Sequence, residues 1–319
     1  ILMGGLSLMA VAGTVAFLAP TAPVLIVACG VMGIASATGL VSGRAVVSDL
    51  ATGHAATRAF SFLALVTGLG PMLGPILGAV FLSTLGWRSM FAFLAIFAAV
   101  MFVLVTLFVG ESLPPEKRLG KSFKQMVLNY PEMFADPVFR YHALVFWCVF
   151  GTIFAYIAAS SFIIQGILGQ PTAMFTLTFT ATSVTSFLTG MASTYLAKYL
   201  RARTLIRTGL TIMSIGALWL LFLITTENRE FPLYLIGFVM LIGIFGFVAG
   251  PSNAMALTNQ RHRGGTAFSL MGFLQWTSGG IVSAIIASSG TTSAVPFIIA
   301  ALTGTGLAVL FFNLGLRPR

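Results

Sequence analysis

Residues 87–110 read WRSMFAFLAIFAAVMFVLVTLFVG, and after Arg88 no charged side chain occurs for 22 residues. A helix rises about 1.5 Å per residue, so this run is long enough to cross a hydrocarbon layer of about 30 Å. It stops at Glu111-Ser112-Leu113-Pro114-Pro115-Glu116-Lys117-Arg118, where the composition turns water-soluble within a few residues. The rest of the chain repeats the pattern. Apolar runs at 1–18, 23–48, 58–84, 140–168, 172–198, 205–226, 231–258, 264–289 and 292–315 bring the expected crossings to ten. An open strand in lipid would leave its backbone groups unpaired, and the strict alternation of a barrel strand is absent, so the crossings are read as helices. The expected fold class is an all-α polytopic membrane protein.

Composition agrees. Of 319 residues, 58% are apolar and 8% charged, against about 25% charged in an ordinary soluble domain. With a mean hydropathy of +1.01 there is too little polar surface to cover a water-soluble body of this volume, which excludes a soluble globular protein. The formal net charge of +10 raises the question of nucleic-acid binding, and the placement of the cations answers it. With residue 1 on the cytoplasmic side, 15 of the 17 basic residues face the cytoplasm, and Arg88 and Arg229 alone fall outside. This is a topological bias, so both ends of the chain are expected in the cytoplasm and no nucleic-acid partner is implied.

Residues 111–139 hold four of the seven acidic residues and divide the chain. The expected organisation is a four-helix bundle at 1–110, a cytoplasmic central loop at 111–139, and a six-helix bundle at 140–319. Within the loop, Phe123, Met126 and Val127 lie at helical spacing beside Lys121 and Lys124. Two readings stay open there: a short amphipathic helix on the inner membrane face, or a partly ordered linker.

The two bundles carry an internal echo. Ala59-Phe60-Ser61 opens the third span and Ala267-Phe268-Ser269 the ninth, an offset of 208 residues. On that offset the fifth span lacks a first-half counterpart, so two helices, roughly 70 residues, are expected upstream of Ile1.

Cysteine and histidine offer little chemistry. Cys29 and Cys148 lie inside apolar runs with no Cys/His cluster, and read as buried small apolar side chains without metal or redox function. His54, His142 and His262 sit at the ends of apolar runs and read as solvated loop residues. No cofactor is expected.

Four segments carry recognisable patterning. The second span ends Gly43-Arg44-Ala45-Val46-Val47-Ser48-Asp49-Leu50. The third contains Gly68-Leu69-Gly70-Pro71-Met72-Leu73-Gly74-Pro75-Ile76-Leu77-Gly78, followed by Gly86-Trp87-Arg88. The Glu111–Arg118 segment comes next. Late in the chain come Gly250-Pro251-Ser252-Asn253-Ala254-Met255-Ala256-Leu257 and Gly264-Gly265-Thr266-Ala267. Glycines at 68, 70, 74 and 78 strip one helix face of side chains, so a neighbour can approach closely. Pro71 and Pro75 each remove a backbone donor and bend the helix. Ordinary tight packing would use the same glycines.

Together, these segments and the two-bundle layout resemble the bicyclomycin-resistance (Bcr/CflA) branch of drug:proton antiporters in the major facilitator superfamily. The resemblance implies an MFS-type helical bundle with ten of an expected twelve transmembrane helices. It also implies a multi-pass, monomeric protein of the bacterial inner membrane, whose partners are the lipid bilayer, a small-molecule substrate and protons. By resemblance, Gly68, Gly70, Pro71, Gly74, Pro75 and Gly78 form the antiporter-motif helix, which seals the bundle against proton leak, and Asp49 acts in the conformational gate. Arg44, about one turn inside the membrane, is either a substrate-path residue or an arginine snorkelling to lipid phosphate. One departure stands out: the family's arginine and glutamine early in the second span fall here on Cys29 and Met32.

The substrate path is read from polar groups inside apolar spans: Tyr156 and Gln165 on the fifth, Asn253 on the eighth, Gln275 beside Trp276 on the ninth. Thr178, Thr182, Thr185, Ser186 and Thr189 share a face of the sixth span, where hydroxyls can pack helices or meet substrate. No Asp or Glu lies at mid-span, so the carboxylate that proton coupling needs is expected in the upstream helices. No catalytic Ser/His or HExxH pattern occurs in the spans, no filter loop repeats and no P-loop is present. An enzyme, a channel and an ATP-driven pump are therefore disfavoured. The expected function is secondary active efflux of amphipathic drugs or small metabolites in exchange for protons, by alternating access. Export of a natural metabolite such as a sugar or amino acid, or a transport-incompetent fragment, are the alternatives.

Overall fold

In the computed structural model, residues 2–50, 70, 73–74, 76–108, 130–259, 264–290 and 293–315 are described, the side chains at 40–41, 43–50, 264–265 and 268 excepted. The chain divides into two compact units, residues 1–120 and 121–319. Every regular element among the described residues is helical.

In the first unit, α1 (Leu2–Leu18), α2 (Ala22–Leu50) and α3 (Ser89–Phe108) pack together, and residues 76–84 are also helical. Small residues let α1 sit close to both neighbours. A Cβ on Gly13 would meet Ala95 of α3 at 3.1 Å, and Gly5 lies against Thr38 of α2. Ala12, Ala16, Ala28 and Met32 form the core between α1 and α2. Arg88 donates to the carbonyl of Ala19 at 3.0 Å and lies over the Trp87 ring at 4.5 Å, which ties the start of α3 to the α1–α2 turn.

The second unit contains α4 (Tyr130–Ala135), α5 (Pro137–Ser161), α6 (Thr172–Leu196), α7 (Ala202–Thr225), α8 (Phe231–Ile242), α9 (Gly246–Leu257), α10 (Gly264–Ser288) and α11 (Val295–Gly315). Helix α5 is central and packs against α9, α10 and α11. Its start lies at Pro137 rather than at the expected Arg140, because Asp136 caps it: the Val138 N–H donates to the Asp136 carboxylate at 2.9 Å, and Pro137 occupies the first turn. The end of the expected loop is likewise helical, over Tyr130–Ala135. The amphipathic segment around Phe123, Met126 and Val127 lies outside the described residues.

Seven helices among the described residues are long and apolar enough to cross a membrane. Three of the ten expected crossings are not in that set. Leu2–Leu18 is apolar but 17 residues long, and 58–84 falls largely outside the described residues. Helix α6 has the length, but eleven of its 25 residues are Ser or Thr.

Two spans are not continuous α-helices. Residues Phe162–Ile167 form a π-helical turn that ends at Gly169 with φ +64. The expected 231–258 span breaks at Gly243–Phe245, a 3-10 turn between α8 and α9. Two side-chain readings change as well. His142 is 4% exposed inside α5, with Nδ1 2.9 Å from the Val138 carbonyl, instead of lying in a solvated loop. Cys148 is buried as expected, but Cys29 is exposed on α2.

Candidate functional site

Phe146, Phe150 and Phe154 recur every four residues on α5 and therefore stand on one face. Their ring centroids step along the helix at 5.5 Å intervals. Phe245, in the 3-10 break, closes on this ladder at 6.5 Å from Phe146 and 5.6 Å from Phe150. From α10, Trp276 meets Phe150 at 6.5 Å and Phe154 at 5.9 Å, both in edge-to-face geometry. Phe150 thus touches four rings. The α5–α10 approach is close because Gly279 has no side chain: a Cβ there would meet the Phe154 ring at 2.8 Å. Edge-to-face pairs add attraction beyond burial, and they fix ring orientation. Trp276 remains 58% exposed while its neighbours pack inward.

Two amides border the rings. Gln275 lies four residues from both Met271, which packs with Phe146, and Gly279, which abuts Phe154. Helical register therefore puts Gln275 on the α5-facing side of α10, level with the ladder. Asn253 lies four residues after Ala249 on α9, and Ala249 lies four after Phe245 of the 3-10 turn. Among the described residues, neither amide side chain has a hydrogen-bond partner, and both are half-buried. Helices α9 and α10 carry no ionisable side chain. The surface is uncharged and aromatic, with two amides able to donate and accept.

The other expected path residues stand elsewhere. Tyr156 is 1% exposed, in the core between Phe179 and Phe238, with its hydroxyl 3.3 Å from the Thr182 hydroxyl. Gln165 donates to the Ser161 hydroxyl at 2.8 Å and accepts from the Thr172 hydroxyl at 3.0 Å, so it clamps the π turn to the start of α6. The α6 hydroxyls bond within and between helices. Thr178 and Thr182 donate to carbonyls of their own helix. Ser186 donates to the Ile242 carbonyl at 2.9 Å and Thr189 to the Gly243 carbonyl at 2.7 Å, at the 3-10 break. The structure thus sets Trp276 on the ring ladder, Gln275 level with it by register and Asn253 on the helix that follows Phe245, and it places Tyr156 and Gln165 elsewhere.

The side chains of Arg44 and Asp49, and residues Gly68, Pro71 and Pro75, lie outside the described residues. Of the glycine-motif positions that are described, Gly78 is approached by Met90 Sδ at 3.6 Å from an added Cβ, while Cβ atoms at Gly70 and Gly74 would meet no described atom within 4 Å. Phe146, Phe150, Phe154 and Phe245 are the residues that polarity-based reading passed over. The four-residue spacing on α5 was the available signal. Among the described residues, no cluster of His, Cys, Asp and Glu could hold a metal ion.

Residues 1–284 match the family model of the Major Facilitator Superfamily. The chain is 28% identical over 303 residues to the MFS-type transporter YdgK of Bacillus subtilis (strain 168), covering 93% of this chain and 74% of that protein. It is 26% identical over 275 residues to a bicyclomycin resistance protein homolog of Haemophilus influenzae, covering 84% and 67% respectively. In fold it is similar to the crystal structure of a D-xylose-proton symporter, with a TM-score of 0.71 at 18% identity over 99% of this chain and 80% of that one. A helical multi-pass body with an uncharged aromatic surface fits these matches, and the chain belongs to the Major Facilitator Superfamily of membrane transporters.

Proposed function

We propose that this transporter is a Bcr/CflA-type secondary active exporter, moving amphipathic drugs or small metabolites out of the cytoplasm in exchange for protons. The observation that carries the reading is the Phe146–Phe150–Phe154–Phe245–Trp276 surface, which offers ring faces and two amides without a partner among the described residues, but no charge. Such a surface holds varied greasy molecules without demanding one shape. The names of two relatives, a bicyclomycin resistance homolog and the multidrug resistance protein MdtL of Shewanella, support the same class.

In this reading the chain works as a monomer in the bacterial inner membrane with both ends cytoplasmic. Transport proceeds by alternating access. The expected spans of this chain hold no carboxylate at mid-membrane, so the coupling group is not assigned to one of its residues. Asp49 serves the inner gate, Arg44 the substrate path, and the Gly68–Gly78 helix the seal against leak.

The test is accumulation of a fluorescent aromatic dye in a pump-deficient bacterium expressing the protein. Lower accumulation than in vector controls, abolished by a protonophore, is expected, and equal accumulation would reject export. Gly74→Leu should insert and fold, because a side chain there meets no described atom within 4 Å, yet lose efflux. The free amides of Asn253 and Gln275 favour a second reading, export of a sugar or amino acid. Efflux of radiolabelled metabolites from preloaded vesicles, with no dye efflux, would select it.

A further inference from the structure

Trp276 stands between two bare turns. Gly272 and Gly280 lie four residues before and after it, on the same side of α10, and a Cβ on either would meet no described atom within 4 Å. The indole is held from behind by the edge-to-face contacts with Phe150 and Phe154, while 58% of the residue is exposed. A ring fixed in orientation, exposed, and flanked on its own helix by open space leaves room for a second flat ring to lie against it.

The electrostatics of the surroundings narrow what that ring can be. Helices α9 and α10 carry no ionisable group, and α5 carries none charged beyond Arg140. On these three helices an organic cation would surrender hydration with no carboxylate to replace it, leaving ring faces as its partner there. An anion would meet the negative faces of the aromatic ladder. A neutral ring meets neither cost, and Gln275 and Asn253 can hydrogen-bond a carbonyl, amide or hydroxyl on it. We infer that Trp276, with the open turns at Gly272 and Gly280, is a stacking site for flat, uncharged aromatic molecules bearing a neutral polar substituent. The inference rests on the export reading for its place in transport, but it is a statement about binding and is tested as one.

The full chain in lipid nanodiscs is titrated with three probes, and empty nanodiscs are subtracted. N-phenyl-1-naphthylamine is neutral, 8-anilinonaphthalene-1-sulfonate adds a sulfonate to the same rings, and ethidium is a flat cation. The neutral probe is expected to bind at least tenfold more tightly than either charged one. Trp276→Leu removes the stacking face and Gly272→Leu fills the open turn. Each should weaken neutral-probe binding about tenfold, the scale of one lost aromatic stacking contact. Gly272→Leu is the safeguard against misfolding, because it enters open space and replaces glycine by a better helix former. Phe222→Leu, at an exposed aromatic of α7, should change nothing. Equal or tighter binding of ethidium or the sulfonate, no binding above empty discs, or unchanged binding in both α10 variants would overturn the assignment. Dye efflux in cells alongside preferred binding of ethidium would leave export standing and remove this site. Neutral-probe binding that depends on Trp276, in a chain that exports nothing, would do the reverse.

Discussion

Asp136 is one carboxylate that decides where the central helix of the second unit begins. Its oxygen accepts the Val138 N–H, one of the donors that a helix start leaves unpaired. Asp136→Ala should therefore cost about 1 kcal/mol, the usual worth of such a cap, read as a lowered midpoint in thermal unfolding of the detergent-solubilised protein. Ser186 and Thr189 act across helices, each donating to a carbonyl at the 3-10 break. An interhelical bond of this kind in a membrane bundle contributes about 0.6 kcal/mol, so Ser186→Ala with Thr189→Val should destabilise by about 1 kcal/mol. Thr176→Val, whose hydroxyl bonds its own helix on an exposed face, should be close to neutral in the same assay. The Asp-Pro pair before an apolar run carried the signal of the cap, but reading by charge placed the helix start at Arg140 instead. The partners of Ser186 and Thr189 were not, because they lie more than fifty residues away and nothing in the spacing of α6 identifies the carbonyls it meets.

The broken span between Phe231 and Leu257 shows how elements here are matched to one another. Thr185 lies against Gly243, and a Cβ on Gly246 would run into the backbone of Gly190, so α6 and the start of α9 cross with almost no separation. Gly246→Leu should prevent this crossing and leave little folded protein, measured as monodisperse yield on size exclusion. Gly250→Ala, where an added Cβ meets nothing within 4 Å, should be recovered at the normal yield. Hydropathy located this span to within a residue or so, because lipid selects for composition along the whole run. It could not show the break, since residues 239–242 and 244–249 on either side of Gly243 are all apolar or glycine and the change is one of hydrogen-bond pattern alone. The same holds for the π turn at Phe162–Ile167.

At the scale of the whole molecule, lipid-soluble composition and the sidedness of the cations made the membrane class readable, and the motif order pointed to the superfamily that the family match then established. Of the candidate surface, Asn253, Gln275 and Trp276 were legible because polar and indole groups are scarce in such spans. The phenylalanines were not, because 29 of them are spread through the chain and most serve packing or lipid contact. Coupling is the claim on which the proposed export depends, and everted membrane vesicles carrying an acid interior test it directly with a dye that reports the pH gradient. Adding a neutral aromatic drug should discharge part of the gradient in vesicles containing the protein and leave it intact in vesicles without it. Drug uptake that leaves the gradient untouched, or no uptake at all, would contradict proton-coupled export.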